Sequence, residues 1–347
     1  MLPPEELVAL AKADGASDIH LIRGLPPKYR IDGELLDMTD TRLTAEDCES
    51  YARQLSAERY PQLEETGELD LAAGYAGTRC RLHIFLQQGL PSAAIRLLRE
   101  AIPPLQSLGL PPAALNLPAM HKGIVLVTGE TGSGKSTTLA AMLDEINHTR
   151  RAHIVTLEDP VEYIYKPDLC AINQREVGRD TASFASGLRA SLREDPDVIL
   201  IGEMRDRETI ETAITAAETG HLVFGTLHTG TASDAIDRMV QVFPEGMQGQ
   251  IRLQLSMVLA AVLTQQLVPK PGGGRVLACE MMVVTDAVRN NIRSGNTPQL
   301  ANSIATSAAL GGQSMDQALA RLVRGHVITK ATALGFAHDA SYINKNC

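Results

Sequence analysis

The stretch Gly123-Ile124-Val125-Leu126-Val127-Thr128-Gly129-Glu130-Thr131-Gly132-Ser133-Gly134-Lys135-Ser136-Thr137 decides the fold. Gly123–Thr128 reads as a buried strand, residues 129–134 as a glycine-rich loop, and Thr137–Ile146 as the helix that follows. Glycines let the backbone turn tightly, so that several N–H groups converge on phosphate oxygens, and the helix N-terminus adds a favourable dipole. In such a loop a lysine neutralises the β/γ charge and the next hydroxyl ligates magnesium. The expected nucleotide-binding residues are therefore Gly129, Thr131, Gly132, Ser133, Gly134, Lys135, Ser136 and Thr137, with ATP and Mg2+ as ligands. A chance glycine turn also meets the spacing, but the strand before it and the helix after it are the context that tells the two apart.

Further along, Val198-Ile199-Leu200-Ile201 leads into Gly202-Glu203. A buried strand ending in a carboxylate is what magnesium needs opposite a phosphate loop. On its own this is a weak signal, because many core strands end in an acid. The runs Gly123–Thr128, His153–Leu157, Val198–Ile201, Leu222–Thr226 and Val276–Val284 alternate with helical stretches, the pattern of a parallel sheet with helices on both faces. Thr285–Ile343 reads as several helices. Leu310-Gly311-Gly312-Gln313-Ser314 resembles a transporter-ATPase signature but follows the Glu203 strand instead of preceding it, and reads as a turn.

Before the loop, residues 1–98 read as an α+β module: a helix over Glu5–Ala13, strands at Asp18–Ile22 and Lys28–Gly33, a helix over Ala45–Leu55, and strands at Leu69–Ala73 and Arg79–Leu86. Residues 99–118, with Pro103, Pro104, Pro111, Pro112 and Pro118, read as an interdomain linker, and 119–347 as the phosphate-loop domain. The net charge is −9, and residues 1–110 alone carry 11 basic against 17 acidic groups. That balance, with no Trp, argues against a protein that coats nucleic acid. The scattered cysteines (Cys48, Cys80, Cys170, Cys279, Cys347) read as reduced thiols. No apolar run has the length of a membrane span, and Met1–Glu6 lacks the start of a signal peptide, so a cytoplasmic protein is expected.

Together these motifs resemble the secretion ATPases, and within them the retraction motors of type IV pili, the PilT/PilU class. The resemblance runs over nearly the whole chain. It is carried by Ala16–Leu21, the phosphate loop, and Thr156-Leu157-Glu158-Asp159-Pro160-Val161-Glu162 (similar to the family's Asp box). Leu188–Asp206 is similar to its Walker B region and Thr219–Thr229 to its His box. Val288-Arg289-Asn290-Asn291-Ile292-Arg293 resembles the A-I-R-N-L-I-R motif of retraction motors, with Asn291 where Leu is usual. The four-cysteine zinc insert of assembly ATPases is missing.

The resemblance implies an N-terminal PAS-like α+β domain and a RecA-like α/β ATPase domain with a helical tail. It implies Glu158 as general base, Glu203 as magnesium ligand through water, and His228 and, less directly, His221 as γ-phosphate sensors. Arg79, Arg81 and Arg96 would bring positive charge to the γ-phosphate. From the residues alone, satisfied core or turn side chains are the better reading of both histidines, and the arginines read equally as solvated strand-face cations. Arg189 and Arg193 either face a neighbouring subunit or pair with Glu194 and Asp195. The implied assembly is a homo-hexamer at the cytoplasmic face of the inner membrane. Its implied partners are a membrane platform protein and a second retraction or assembly ATPase, with no nucleic acid. Rival readings are a DNA translocase, an ATP-gated scaffold, and a pilus-assembly or secretion ATPase.

Overall fold

The computed structural model describes residues 1–31, 33–98 and 101–347. Asp32, in the expected strand-and-turn, and residues 99 and 100, at the start of the expected linker, lie outside the described residues. The chain divides into two compact units, one of Met1–Ala101 with Pro160–Ile164, the other of Ile102–Asp159 with Tyr165–Cys347.

The first unit holds α1 (Pro4–Ala13), β1 (Asp18–Leu21), β2 (Lys28–Ile31), β3 (Glu34–Asp37), α2 (Ala45–Ser56), α3 (Tyr60–Thr66), β4 (Glu68–Tyr75), β5 (Thr78–Gln87) and β6 (Leu90–Leu97). Thr44 caps α2 by accepting from Asp47 N, while Asp47 bonds back to the Thr44 amide. This reciprocal bonding satisfies two donors that helix starts leave free. The six strands form one antiparallel sheet in the order β3-β2-β1-β6-β5-β4. Along β5 buried and half-buried residues alternate, as a strand with one covered face must. Cys80, Leu82 and Ile84 join Leu7, Tyr51, Leu63 and Ile95 in the core, which leaves Arg79, Arg81 and His83 on the other face.

The second unit contains β7 (Gly123–Thr128), α4 (Lys135–Thr149), β8 (His153–Glu158), β9 (Ala171–Glu176), α5 (Phe184–Ser191), β10 (Val198–Ile201), α6 (Arg207–Glu218), β11 (Leu222–Leu227), α7 (Ala232–Gln241), α8 (Glu245–Val258), β12 (Leu259–Pro269), β13 (Arg275–Val283), α9 (Asp286–Ser294), α10 (Leu300–Thr306), α11 (Met315–Arg324), α12 (Lys330–Phe336) and α13 (Ala340–Asn346). Its sheet runs β13-β12-β7-β11-β10-β8-β9. Every neighbouring pair is parallel except β12 and β13. The Val276–Val284 run, expected among the parallel strands, is thus an antiparallel edge. Only a short turn with three positive-φ glycines, Gly272, Gly273 and Gly274, joins it to β12, and a parallel return needs a long crossover.

Every residue of β7, β10 and β11 is buried, so these strands read as continuous apolar runs. Ile124, Leu126, Ile199, Ile201 and Val223 share one core with residues of α6, α7, α8 and α9. Residues 102–118 belong to this unit and do not form a free tether: Leu105, Ala114 and Leu117 are buried, in 3-10 turns at Leu105–Leu108 and Ala114–Ala119 that pack on α4.

Candidate functional site

Parallel pairing levels the carboxyl ends of four strands. Thr128 sits opposite Leu227, Gly225 opposite Ile201, and Ile201 opposite Leu157. The loops leaving β7, β11, β10 and β8 therefore leave from one edge of the sheet, where open α/β sheets bind ligands. The first three carry the phosphate loop, His228 and Glu203, and Glu158 is the last residue of β8 itself.

The phosphate loop is held in shape by its glycines. Gly129 has φ +136°, and a Cβ there would lie 2.4 Å from Gln265 O and 2.6 Å from Ser133 Oγ, so only glycine fits. Gly134, at φ +95°, starts α4 in the left-handed region. Lys135 is buried, and its ammonium donates to Gly129 O at 2.8 Å and Glu130 O at 2.9 Å. Thr131, Gly132 and Ser136 are exposed, Thr137 is half-buried, and the buried Ser133 Oγ has no hydrogen-bond partner.

Strand β12 braces this loop from the side. Gln265, fully buried, donates through Nε2 to Thr138 Oγ1 at 2.7 Å, and Thr264 Oγ1 lies 2.9 Å from Thr128 Oγ1. Sequence reading missed Gln265 and Thr138. The available signal was the polar Thr264-Gln265-Gln266 inside an otherwise apolar run.

Glu203 follows β10 and is laced to β11. Met204 N donates to Thr226 O at 3.1 Å, and the Thr226 hydroxyl donates to Gly202 O. Gly225 leaves the room that the Met204 side chain fills, since a Cβ there would meet Met204 Cε at 2.6 Å. Glu203 Oε1 lies 3.3 Å from His228 Nε2 and also pairs with Arg205, a cation given no role in the sequence reading. Burial and then Lys135 hold the His228 imidazole below its usual range, against the opposing pull of Glu203. Lys135, Glu203, Arg205 and His228 thus form one electrostatic cluster.

Glu158, half-buried at the end of β8, accepts from Thr156 Oγ1 at 2.6 Å and Gln174 Nε2 at 3.2 Å. Gly202, just past the end of neighbouring β10, approaches so closely that a Cβ would lie 3.3 Å from Glu158 Cα. The oxygen donors Ser136 and Glu203, both on this edge, suit a hard cation such as magnesium.

The other expected residues are His221, in the second unit, and Arg79, Arg81 and Arg96, in the first. His221 precedes β11, so about 20 Å of strand separates it from His228. Its Nδ1 lies 2.8 Å from Ala216 O at the end of α6, and its carbonyl accepts from Gly123 N. Within the chain it does not join the phosphate loop. Arg81 and Arg96 are cross-strand partners on the first unit's sheet, where Arg96 Nε donates to Asp18 Oδ1 at 2.8 Å and Arg81 lies 3.9 Å from Asp70. Arg79 donates to Val161 O at 3.0 Å. Arg189 pairs with Glu208 of α6, not with Glu194 or Asp195; Glu194 pairs with Arg175.

The family model for type II/IV secretion system proteins matches residues 5–323. The type IV pilus retraction ATPase PilT of Pseudomonas aeruginosa is 44% identical over 94% of this chain and 96% of its own length. The Escherichia coli K12 protein YggR is 47% identical over 88% of this chain and 94% of its own. Among solved structures, the pilus retraction motor PilT with bound ADP superposes with a TM-score of 0.92 at 47% identity, covering 99% of this chain and all of that one. The chain belongs to the type II/IV secretion system protein family, in the branch that includes the pilus retraction ATPases.

Proposed function

We propose that this chain is an ATPase motor that drives type IV pilus retraction, working as a homo-hexamer. The observation that carries the reading is the convergence of Lys135, Glu203 and His228 beside Glu158 at one sheet edge, in a chain that resembles PilT over almost its full length. Lys135 exchanges its loop carbonyls for the β- and γ-phosphate oxygens. The backbone amides of residues 131–136 and the α4 dipole hold the rest of the anion. Glu158 takes a proton from water aligned with the γ-phosphorus, and Thr156 and Gln174 orient that carboxylate. Ser136 and, through water, Glu203 would hold magnesium, which supplies charge neutralisation between the phosphates. His228, neutral at pH 7, donates or accepts one hydrogen bond at the γ-phosphate edge.

Arg79, Arg81 and Arg96 are proposed to stabilise transition-state charge on a neighbouring copy's nucleotide. Exposed Arg96, bound to a single carboxylate among the described residues, has donors to spare for that role. The first unit is proposed as PAS-like and the second as RecA-like, with alternation between nucleotide-dependent arrangements as the power stroke. No described helix is long and apolar enough to cross a membrane. A peripheral position at the inner membrane, against a platform protein and alongside a second motor, completes the proposal. The test is deletion with complementation. The wild-type gene restores twitching and K135A leaves hyperpiliated, non-twitching cells; loss of pili on deletion would instead favour an assembly ATPase.

A further inference from the structure

Glu280 is an acid in the middle of an edge strand, 6% exposed, and the hydrolytic chemistry above makes no use of it. Its Oε1 accepts from Ala232 N at 2.9 Å, and the Met315 amide stands near enough to favour its ionised form. Ala232 is the first residue of α7 and Met315 the first of α11. The carboxylate therefore caps the amino end of α7 with the start of α11 close by, where orphan N–H donors and helix dipoles favour an anion. Burial pushes its carboxyl upward, while the two amides and nearby His338 pull it back. Ala232 and Met315 are themselves buried, so no water replaces the acceptor if it is removed.

The position of α7 bears on the site. Between the end of β11 at Leu227 and Ala232 lie only His228, Thr229, Gly230 and Thr231. One end of this loop is fixed by the pairing of β11 with β7 and β10. Glu280 bonds the other end to β13, which also takes the bridge Met281–Gln313 just before α11. We infer that Glu280 is a positioning residue for hydrolysis: it anchors the start of α7, holds the four-residue loop between two fixed ends, and so keeps His228 against Glu203. It also couples that loop to the C-terminal helices through α11. This rests on the function proposed above.

The test is a double-mutant cycle in the full chain. E280Q keeps the volume but replaces one acceptor oxygen with a donor that faces an N–H. It is expected to lower kcat roughly 10–100-fold, the scale of an ångström-sized misplacement, while KM for MgATP stays within about twofold and amide exchange at Ala232 accelerates. Added to H228A, it should cost less than about twofold more, because the residue it acts through is gone. If E280Q does not yield folded protein, E280D, which keeps the charge and shortens the reach, enters the same cycle. An unchanged kcat, or equal losses in wild-type and H228A backgrounds, overturns the inference alone. An unsubstituted protein that hydrolyses no ATP overturns the functional reading and this inference with it.

Discussion

His228 Nε2 lies 3.3 Å from Glu203 Oε1, bringing the end of β11 against the end of β10, with the Lys135 ammonium near enough to oppose protonation of the imidazole. In the proposed role of γ-phosphate sensor, His228 would be neutral before an anion arrives.

The first prediction follows from that imidazole. Burial and then Lys135 lower its pKa, so His228 should titrate below the ordinary histidine range in a ring-proton NMR experiment. The linked stability is present above the unfolded-state pKa and is lost as pH falls through the folded one. Bound ATP draws Lys135 away and adds negative charge, so the titration should then move upward.

Lys135→Ala removes the cation proposed to neutralise the phosphates. Phosphate release should fall by about 10²-fold or more, the usual scale for losing a preorganised electrostatic group. Steady-state hydrolysis by purified protein measures it.

Gly129→Ala places a methyl group 2.4 Å from Gln265 O at φ +136°. The strain should cost roughly 1–3 kcal/mol, read as a lower denaturant midpoint, and should weaken ADP binding by distorting the loop.

Thr138→Val deletes the acceptor of the buried Gln265 amide. An orphaned buried donor costs roughly 1–3 kcal/mol. Urea unfolding should report that loss, and hydrogen exchange should show the first turn of α4 opening more readily.

Arg96→Ala separates two explanations. As a mere surface partner of Asp18, Arg96 contributes no more than about 1 kcal/mol, so stability should barely change. As a transition-state cation it is needed for turnover, so hydrolysis by the assembled protein should fall well beyond any loss of folded material.

What the sequence disclosed follows from where apolar runs are punctuated. Strands β7 and β10 match their expected limits because each is an unbroken buried run. Strand β12 went unread because α8 passes from Val258 directly into Leu259 with no glycine or proline between them. Edge strand β9, Ala171–Glu176, has four polar residues in six and offers no apolar run. The phosphate loop and Glu203 could be placed at strand ends from apolar runs and their punctuation, whereas Glu158 and His228 were singled out only by the family resemblance. Gln265 and Glu280 act across the sheet, on groups more than forty residues away, and no local pattern marks such partners. His221 sits in the same motif as His228 yet at the other end of one strand, a separation set by backbone geometry that spacing alone does not convey.

The most direct measurement is phosphate release from MgATP by purified wild-type and Glu158→Gln protein, with nucleotide affinity measured in parallel. If Glu158 takes the water's proton, the variant binds ATP as tightly as wild type while turnover drops about 10²–10⁴-fold. A Glu158→Gln protein that hydrolyses ATP at the wild-type rate would contradict the account.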